Sequence, residues 1–224
     1  NLGGIYKDLG NLDQALASTL KSLELKGDNP GAVNNLKVFI DELNISPSNA
    51  KNLTRAYELL LNQRGISHKN LSKIFLQAFL PIIQKASTSE PIISNNNEAF
   101  KTLGNDWRFC KSLTLMIPPS SEAERFFTRL RKELLKLTIQ MGTVPEQLKP
   151  LTESIAAQCF LNEYVYSRTE EEDLSLNKII NRCIDSQLNE INISILSCYF
   201  PLYKLLDQIP SLKSFNSSNQ SFAE

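Results

Sequence analysis

The 224-residue sequence predicts an all-α fold, and three observations carry that prediction. Apolar residues recur at spacings of three and four along most of the chain. Helix-starting residues (Ser, Thr and Pro) punctuate the periodic runs. No stretch shows the alternation of a convincing strand. Composition agrees with an ordinary folded chain: hydrophobic residues make up 42% and charged residues 21%, which excludes wholesale disorder and collagen-like or disulfide-stapled classes.

The elements follow in order. Leu2, Ile5, Tyr6 and Leu9 have helical spacing, Gly10-Asn11 interrupts, and Leu12, Leu16, Leu20, Leu23 and Leu25 begin a second run, so the two form a helical hairpin. Lys26 to Pro30 stops the second helix, and Pro30 is placed as an early residue of a third that runs through Leu36, Phe39, Ile40 and Leu43. Ser46-Pro47-Ser48 punctuates. Helices are then expected over Ala50 to Gln63, over Ser67 to Ala86 with a kink at Pro81, and in short pieces from Glu98 to Met116 after a polar break at Ser87 to Asn97. Ser121 and Glu124 read as a capping box before Phe126, Phe127, Leu130, Leu134 and Leu135. Further helices are expected over Glu146 to Arg168, over Glu170 to Asn189 behind a second capping box (Thr169 and Glu172), and over Ile193 to Leu206. The Ser- and Asn-rich residues 213–224 read as a flexible tail or linker.

Charge and motif content narrow the function. Lys and Arg total 24 and Asp and Glu total 24, without the basic excess that usually accompanies nucleic-acid binding. No apolar run approaches the roughly 20 residues of a membrane span. Neither partner is expected, and the chain reads as cytoplasmic. The glycines form neither phosphate-binding loop, and with one histidine, His68, a His-rich metal site is excluded. Cys110, Cys159, Cys183 and Cys198 lie in apolar segments without C-x-x-C spacing and read as buried thiols. Arg125, Arg129, Arg131 and Lys132 read as the solvated basic flank of one helix, Trp107 with Phe100 and Phe109 as core, and the acidic run Glu170 to Asp173 as a favourable helix start. No catalytic, cofactor-binding or metal-binding residue is assigned.

Aligned with the 34-residue tetratricopeptide pattern, Leu2-Gly3 and Tyr6 take the first-helix signature, Gly10 the turn and Ala15 the small second-helix position; Ala32 to Leu36 opens a second repeat at the expected register. Residues 1–43 therefore resemble about one and a half tetratricopeptide repeats, with Lys37, Thr19 and Ser22 as departures. The expected architecture is the end of an α-solenoid followed by a helical connector domain over 44–212. There is no initiator Met, and the pattern is already running at the first residues, so the chain reads as a fragment that begins inside a repeat. In this register Lys7, Asp8, Asn34, Asp41 and Glu42 project into a concave groove as candidate contacts for a protein or peptide partner.

Gln158-Cys159-Phe160-Leu161-Asn162-Glu163-Tyr164-Val165 is the most specific stretch. It resembles a signature of bacterial tetratricopeptide-repeat proteins that carry a class I S-adenosylmethionine-dependent methyltransferase domain further on. Gly65 to Leu71, Glu124 to Leu135 and Ser197 to Leu202 are similar in the same order. The resemblance implies that the methyltransferase domain follows Glu224, so that this fragment is a noncatalytic interaction and scaffolding region without its own cofactor. An array with a different catalytic tail, a glycosyl- or sulfotransferase, and a helical enzyme with a hidden site are the alternatives. Read from the residues alone, Ala156, Cys159, Phe160 and Val165 face a core. His68, Asn162, Glu163 and Tyr166 are candidates for a structural network or an interdomain contact. A catalytic role ranks last, because a lone carboxylate lacks an acid, base or metal partner.

Overall fold

The computed structural model is all-helical, with no strand among the described residues, which are 2–27, 29–43, 46, 48–63, 68–185 and 188–214, the side chains of 68 and 70 excepted. The chain divides into two compact units, Asn1–Pro81 and Ile82–Glu224. This division rests on packing, whereas the boundary after residue 43 rests on loss of the repeat period, and the helix that follows residue 43 packs within the first unit.

In the first unit, α1 (Leu2–Asp8) and α2 (Leu12–Leu25) form the expected hairpin, and α3 (Pro30–Glu42) and α4 (Ala50–Leu61) pack on α2 and on each other. Gly10, at φ 75°, makes the turn. The Asn11 N–H reaches the Tyr6 carbonyl at 2.8 Å and the Gly10 N–H that of Lys7 at 2.8 Å, which satisfies the free end of α1. Asn11 then caps α2 by accepting from the Gln14 N–H, and Asn29 caps α3 by accepting from the Ala32 N–H, with Pro30 at the first turn. The Asn29 amide also donates to Ser22 Oγ at 3.2 Å, which gives the departure at Ser22 a local purpose. Gly3 is the close-approach residue: a Cβ there would lie 2.2 Å from Thr19 Oγ1 and 3.3 Å from the Ala15 carbonyl oxygen.

The second unit is built from α6 (Glu98–Asn105), α7 (Trp107–Leu113), α8 (Ser121–Met141), α9 (Lys149–Leu161), α10 (Glu170–Ile184) and α11 (Glu190–Ser197). α5 (His68–Ala86), with Pro81 inside it, crosses the division; Ser67 lies outside the described residues. α9 touches α7, α8 and α11 and buries Leu151, Thr152, Ile155, Ala156, Gln158 and Cys159, so it needs partners on several sides rather than one apolar stripe. Phe109, Phe126, Phe127, Leu130 and Leu134 fill the core beside it. The polar break after α5 is held by α8: the Glu133 carboxylate accepts from the Ile92 and Ile93 N–H groups at 2.9 and 2.8 Å, and Arg129 donates to the Ser87 and Ser89 carbonyls.

Several boundaries differ from expectation. α8 is capped by Ser120, which accepts from the Ala123 N–H, one residue before the expected Ser121. α9 stops at Leu161 rather than Arg168, and α10 at Ile184 rather than Asn189. The expected helix over Ile193 to Leu206 ends at Ser197, followed by a 3-10 turn over Leu202–Leu205. Pro201 supplies the reason: it has no N–H to donate and biases Phe200 away from helix. All four cysteines are buried free thiols. Most of the tail, residues 215–224, lies outside the described residues.

Candidate functional site

The site begins with the way α9 ends. Asn162 is the C-cap, and the next two residues, Glu163 (φ 56°) and Tyr164 (φ 61°), are left-handed although neither is glycine. The Tyr164 N–H bonds the Cys159 carbonyl at 2.8 Å and the Glu163 N–H that of Phe160 at 3.1 Å, the double closure of a Schellman motif with glutamate where glycine is usual. Asn162 Oδ1 also accepts from the Tyr164 N–H at 3.1 Å. Two consecutive left-handed L-residues cost roughly 1–2 kcal/mol each, and such strain concentrates at functional segments.

This turn forms one wall of a cleft of about 1010 Å³ in the second unit. Phe160, Glu163, Tyr164, Tyr166 and Arg168 come from the turn and its exit, Arg131 from α8, and Tyr199, Phe200, Tyr203 and Lys204 from the segment after α11. Three of the four stretches that carry the resemblance therefore meet here. The fourth, Gly65 to Leu71, falls largely outside the described residues.

The floor is polar and closed. Arg131 is 1% exposed; it donates to the Ser167 carbonyl at 2.7 Å, faces the buried Glu172 carboxylate at 3.5 Å and lies 4.1 Å from the centre of the Tyr199 ring. Glu172 also accepts from Tyr199 OH at 2.8 Å and from the Thr169 N–H and hydroxyl, each at 2.9 Å. The expected capping box at Thr169 thus exists, and its carboxylate doubles as the counter-ion of Arg131. Burial is the main cause that pushes the Tyr199 hydroxyl far above the usual phenol range and the Cys159 thiol up to about 12, so neither is a nucleophile near neutral pH.

The rim is apolar and open. Phe160 is 65% and Tyr203 69% exposed, while Arg168 stacks 5.0 Å over Phe200 and gives its Nε to Asp173 at 3.1 Å. Gln158, fully buried, belongs to the packing beneath: with its amide nitrogen toward α7 it donates to the Met116 and Leu113 carbonyls at 2.9 and 3.1 Å.

These positions correct several expectations. Ala156 and Cys159 face the core as expected, but Phe160 and Val165 do not. Phe160 lies one helical step from Cys159, on the outer side of α9, and Val165 lies past the turn, where helical periodicity no longer applies. Asn162 and Tyr166 are buried, whereas Glu163 is exposed. Arg131 does not belong to a solvated flank. Trp107, placed in a core by its neighbours, is half exposed at the start of α7, while Phe100 and Phe109 are buried. The side chain of His68 lies outside the described residues.

The groove candidates of the first unit are separate from this cleft in sequence and in residue set. Lys7 and Glu42 approach to 3.6 Å, joining α1 and α3, and the Asp41 carbonyl accepts from Lys73 at 3.0 Å. Asp8 and Asn34 are exposed. Among the described residues no group of three or more His, Cys, Asp and Glu side chains could hold a metal ion, and no helix is long and apolar enough to cross a membrane. Comparisons of the chain with protein-family models, with curated proteins and with solved structures give no match.

Proposed function

We propose that this chain is a noncatalytic protein-interaction and scaffolding region of a bacterial, cytoplasmic protein: the end of a tetratricopeptide array followed by a helical connector. It presents a partner or substrate to a class I S-adenosylmethionine-dependent methyltransferase domain further along the same protein. The observation that supports this reading is the convergence of the Gln158–Val165, Glu124–Leu135 and Ser197–Leu202 stretches on one open cleft. Exposed rings at its rim offer contact area to another protein surface. The tight Gly3–Thr19 approach and the Lys7–Glu42 pair between α1 and α3 suit stacked helical hairpins.

Calorimetric titration of the purified, helical chain with S-adenosylmethionine tests the noncatalytic part: no heat of binding is expected, and saturable one-site binding would overturn it. The coding sequence of the parent protein tests the rest. A glycine-rich S-adenosylmethionine loop downstream is expected, whereas a glycosyl- or sulfotransferase domain in its place would remove the methyltransferase assignment.

A further inference from the structure

The segment that joins α5 to α6 is fastened in two separate ways. At its neck Asn97 is buried; its amide donates to the Ala86 carbonyl at 2.9 Å and to the Ile92 carbonyl at 3.0 Å, and its Oδ1 accepts from the Phe100 N–H. These bonds draw the two ends of the segment together and make it a compact loop with a closed neck. Along its body, α8 grips the backbone. Arg129 and Glu133 stand one turn apart on the same face of α8. Arg129 donates to the Ser87 and Ser89 carbonyls at 2.9 and 3.1 Å, and the Glu133 carboxylate accepts from the Ile92 and Ile93 N–H groups, one on each oxygen. Both side chains are half-buried, and of residues 87–96 only Ile92 is buried.

We infer that residues 87–96 form a strap that lifts from α8 as one piece while the rest of the second unit stays folded. Lifting withdraws one apolar side chain and breaks four side-chain-to-backbone bonds, whereas unfolding the unit exposes its whole core. An opening that costs so much less is populated on its own. The neck stays closed meanwhile, because the bond from Asn97 to Ala86 does not involve α8. The exit of α9 has no such freedom: it buries Asn162 and Tyr166 and supplies the Ser167 carbonyl to Arg131. A lifted strap uncovers the face of α8 that carries Arg129 and Glu133, together with the recess that Ile92 fills. This face is distinct from the cleft, since Arg131, two residues from each, points to the other side of the helix. The strap stands apart from the interaction reading of the chain.

The test is amide hydrogen exchange followed by NMR on the purified full chain, in the regime where exchange reports the opening equilibrium. Ile92 and Ile93 are expected to share one opening free energy, well below that of Leu130 and Leu134 inside α8. Glu133→Gln should speed exchange at both by about tenfold. Arg129→Ala separates a strap from a set of independent contacts, because Arg129 bonds neither Ile92 nor Ile93. It too should speed both by about tenfold, with Leu130 and Leu134 unchanged. Exchange of Ile92 and Ile93 only alongside the slowest core amides, unequal opening of the two, or native rates at both in either variant would each overturn the inference. The native chain alone decides the first two of these outcomes, whether or not a variant folds.

Discussion

Arg131 and Glu172 face each other at 3.5 Å with 1% and 4% of their side chains exposed, so each is the other's buried counter-charge inside the second unit. Removing one partner strands the other, at a cost of about 3–5 kcal/mol. Glu172→Gln is expected to lower the unfolding free energy, read from urea titration, by that amount. Arg131→Met combined with Glu172→Gln should recover a large part of the loss, because neither charge is then left alone. A single variant as stable as the native chain would show that the pair does not carry its charges in isolation from water.

Gly3 and Thr19 set the separation of α1 and α2. Gly3→Ala places a methyl 2.2 Å from Thr19 Oγ1, an overpacking expected to cost about 1–3 kcal/mol. Thr19 Oγ1 is buried without a hydrogen-bond partner among the described residues, so Thr19→Ala removes both the obstacle and an unsatisfied hydroxyl. In a double-mutant cycle followed by thermal unfolding, the two changes together should cost clearly less than the sum of their separate effects. Simple additivity would mean that the helices move apart instead.

Glu163 offers a gain of stability in place of a loss. Its left-handed backbone is free of strain for glycine, so Glu163→Gly is expected to raise stability by about 1 kcal/mol, and Glu163→Val to lower it by more. Differential scanning calorimetry of the three proteins gives the order. A Glu163→Gly protein that melts lower than the native chain would refute the assigned strain.

The buried thiols predict weakness toward alkali. Burial raises Cys159 to about 12 and Cys183 to about 11, from an ordinary value of 9.0, and Cys198 rises as well. Below pH 9 these groups are protonated both folded and unfolded and contribute no slope. From about pH 9 to 12 the unfolded chain ionises and the folded one does not. Stability is therefore expected to fall by up to about 1.4 kcal/mol per pH unit for each such thiol. Urea midpoints from pH 7 to 10.5 should be level and then decline; a rise above pH 9 would contradict the burial.

The sequence reveals helix beginnings better than helix ends. Pro30 and the Thr169–Glu172 capping box stand where expected, and Thr169 satisfies a free N–H locally; Asn11 and Asn29, read only as interruptions between helices, turn out to cap the helices that follow them. The end of α9 carries neither Gly nor Pro, because Glu163 takes the left-handed position that glycine usually holds. Arg131 is instructive in another way. It lies four residues after Phe127 and four before Leu135, inside the apolar stripe of α8, so its burial was legible from spacing although its charge argued for solvent. The cleft was not legible, because its walls come from α8, the α9 exit and the segment after α11, and only tertiary packing joins them.

The Arg131 pocket also bears on the order of synthesis at the ribosome. Its guanidinium contacts Ser167, Glu172 and Tyr199, each later in the chain than the last. In the first unit, by contrast, the packing among α1 to α4 joins helices close together in sequence. A nascent chain that has delivered α8 but not Tyr199 therefore holds a charged group with no finished place to sit. The Arg131 pocket closes only after the segment that carries Tyr199 has left the exit tunnel, while the helices of the first unit can pair as they emerge.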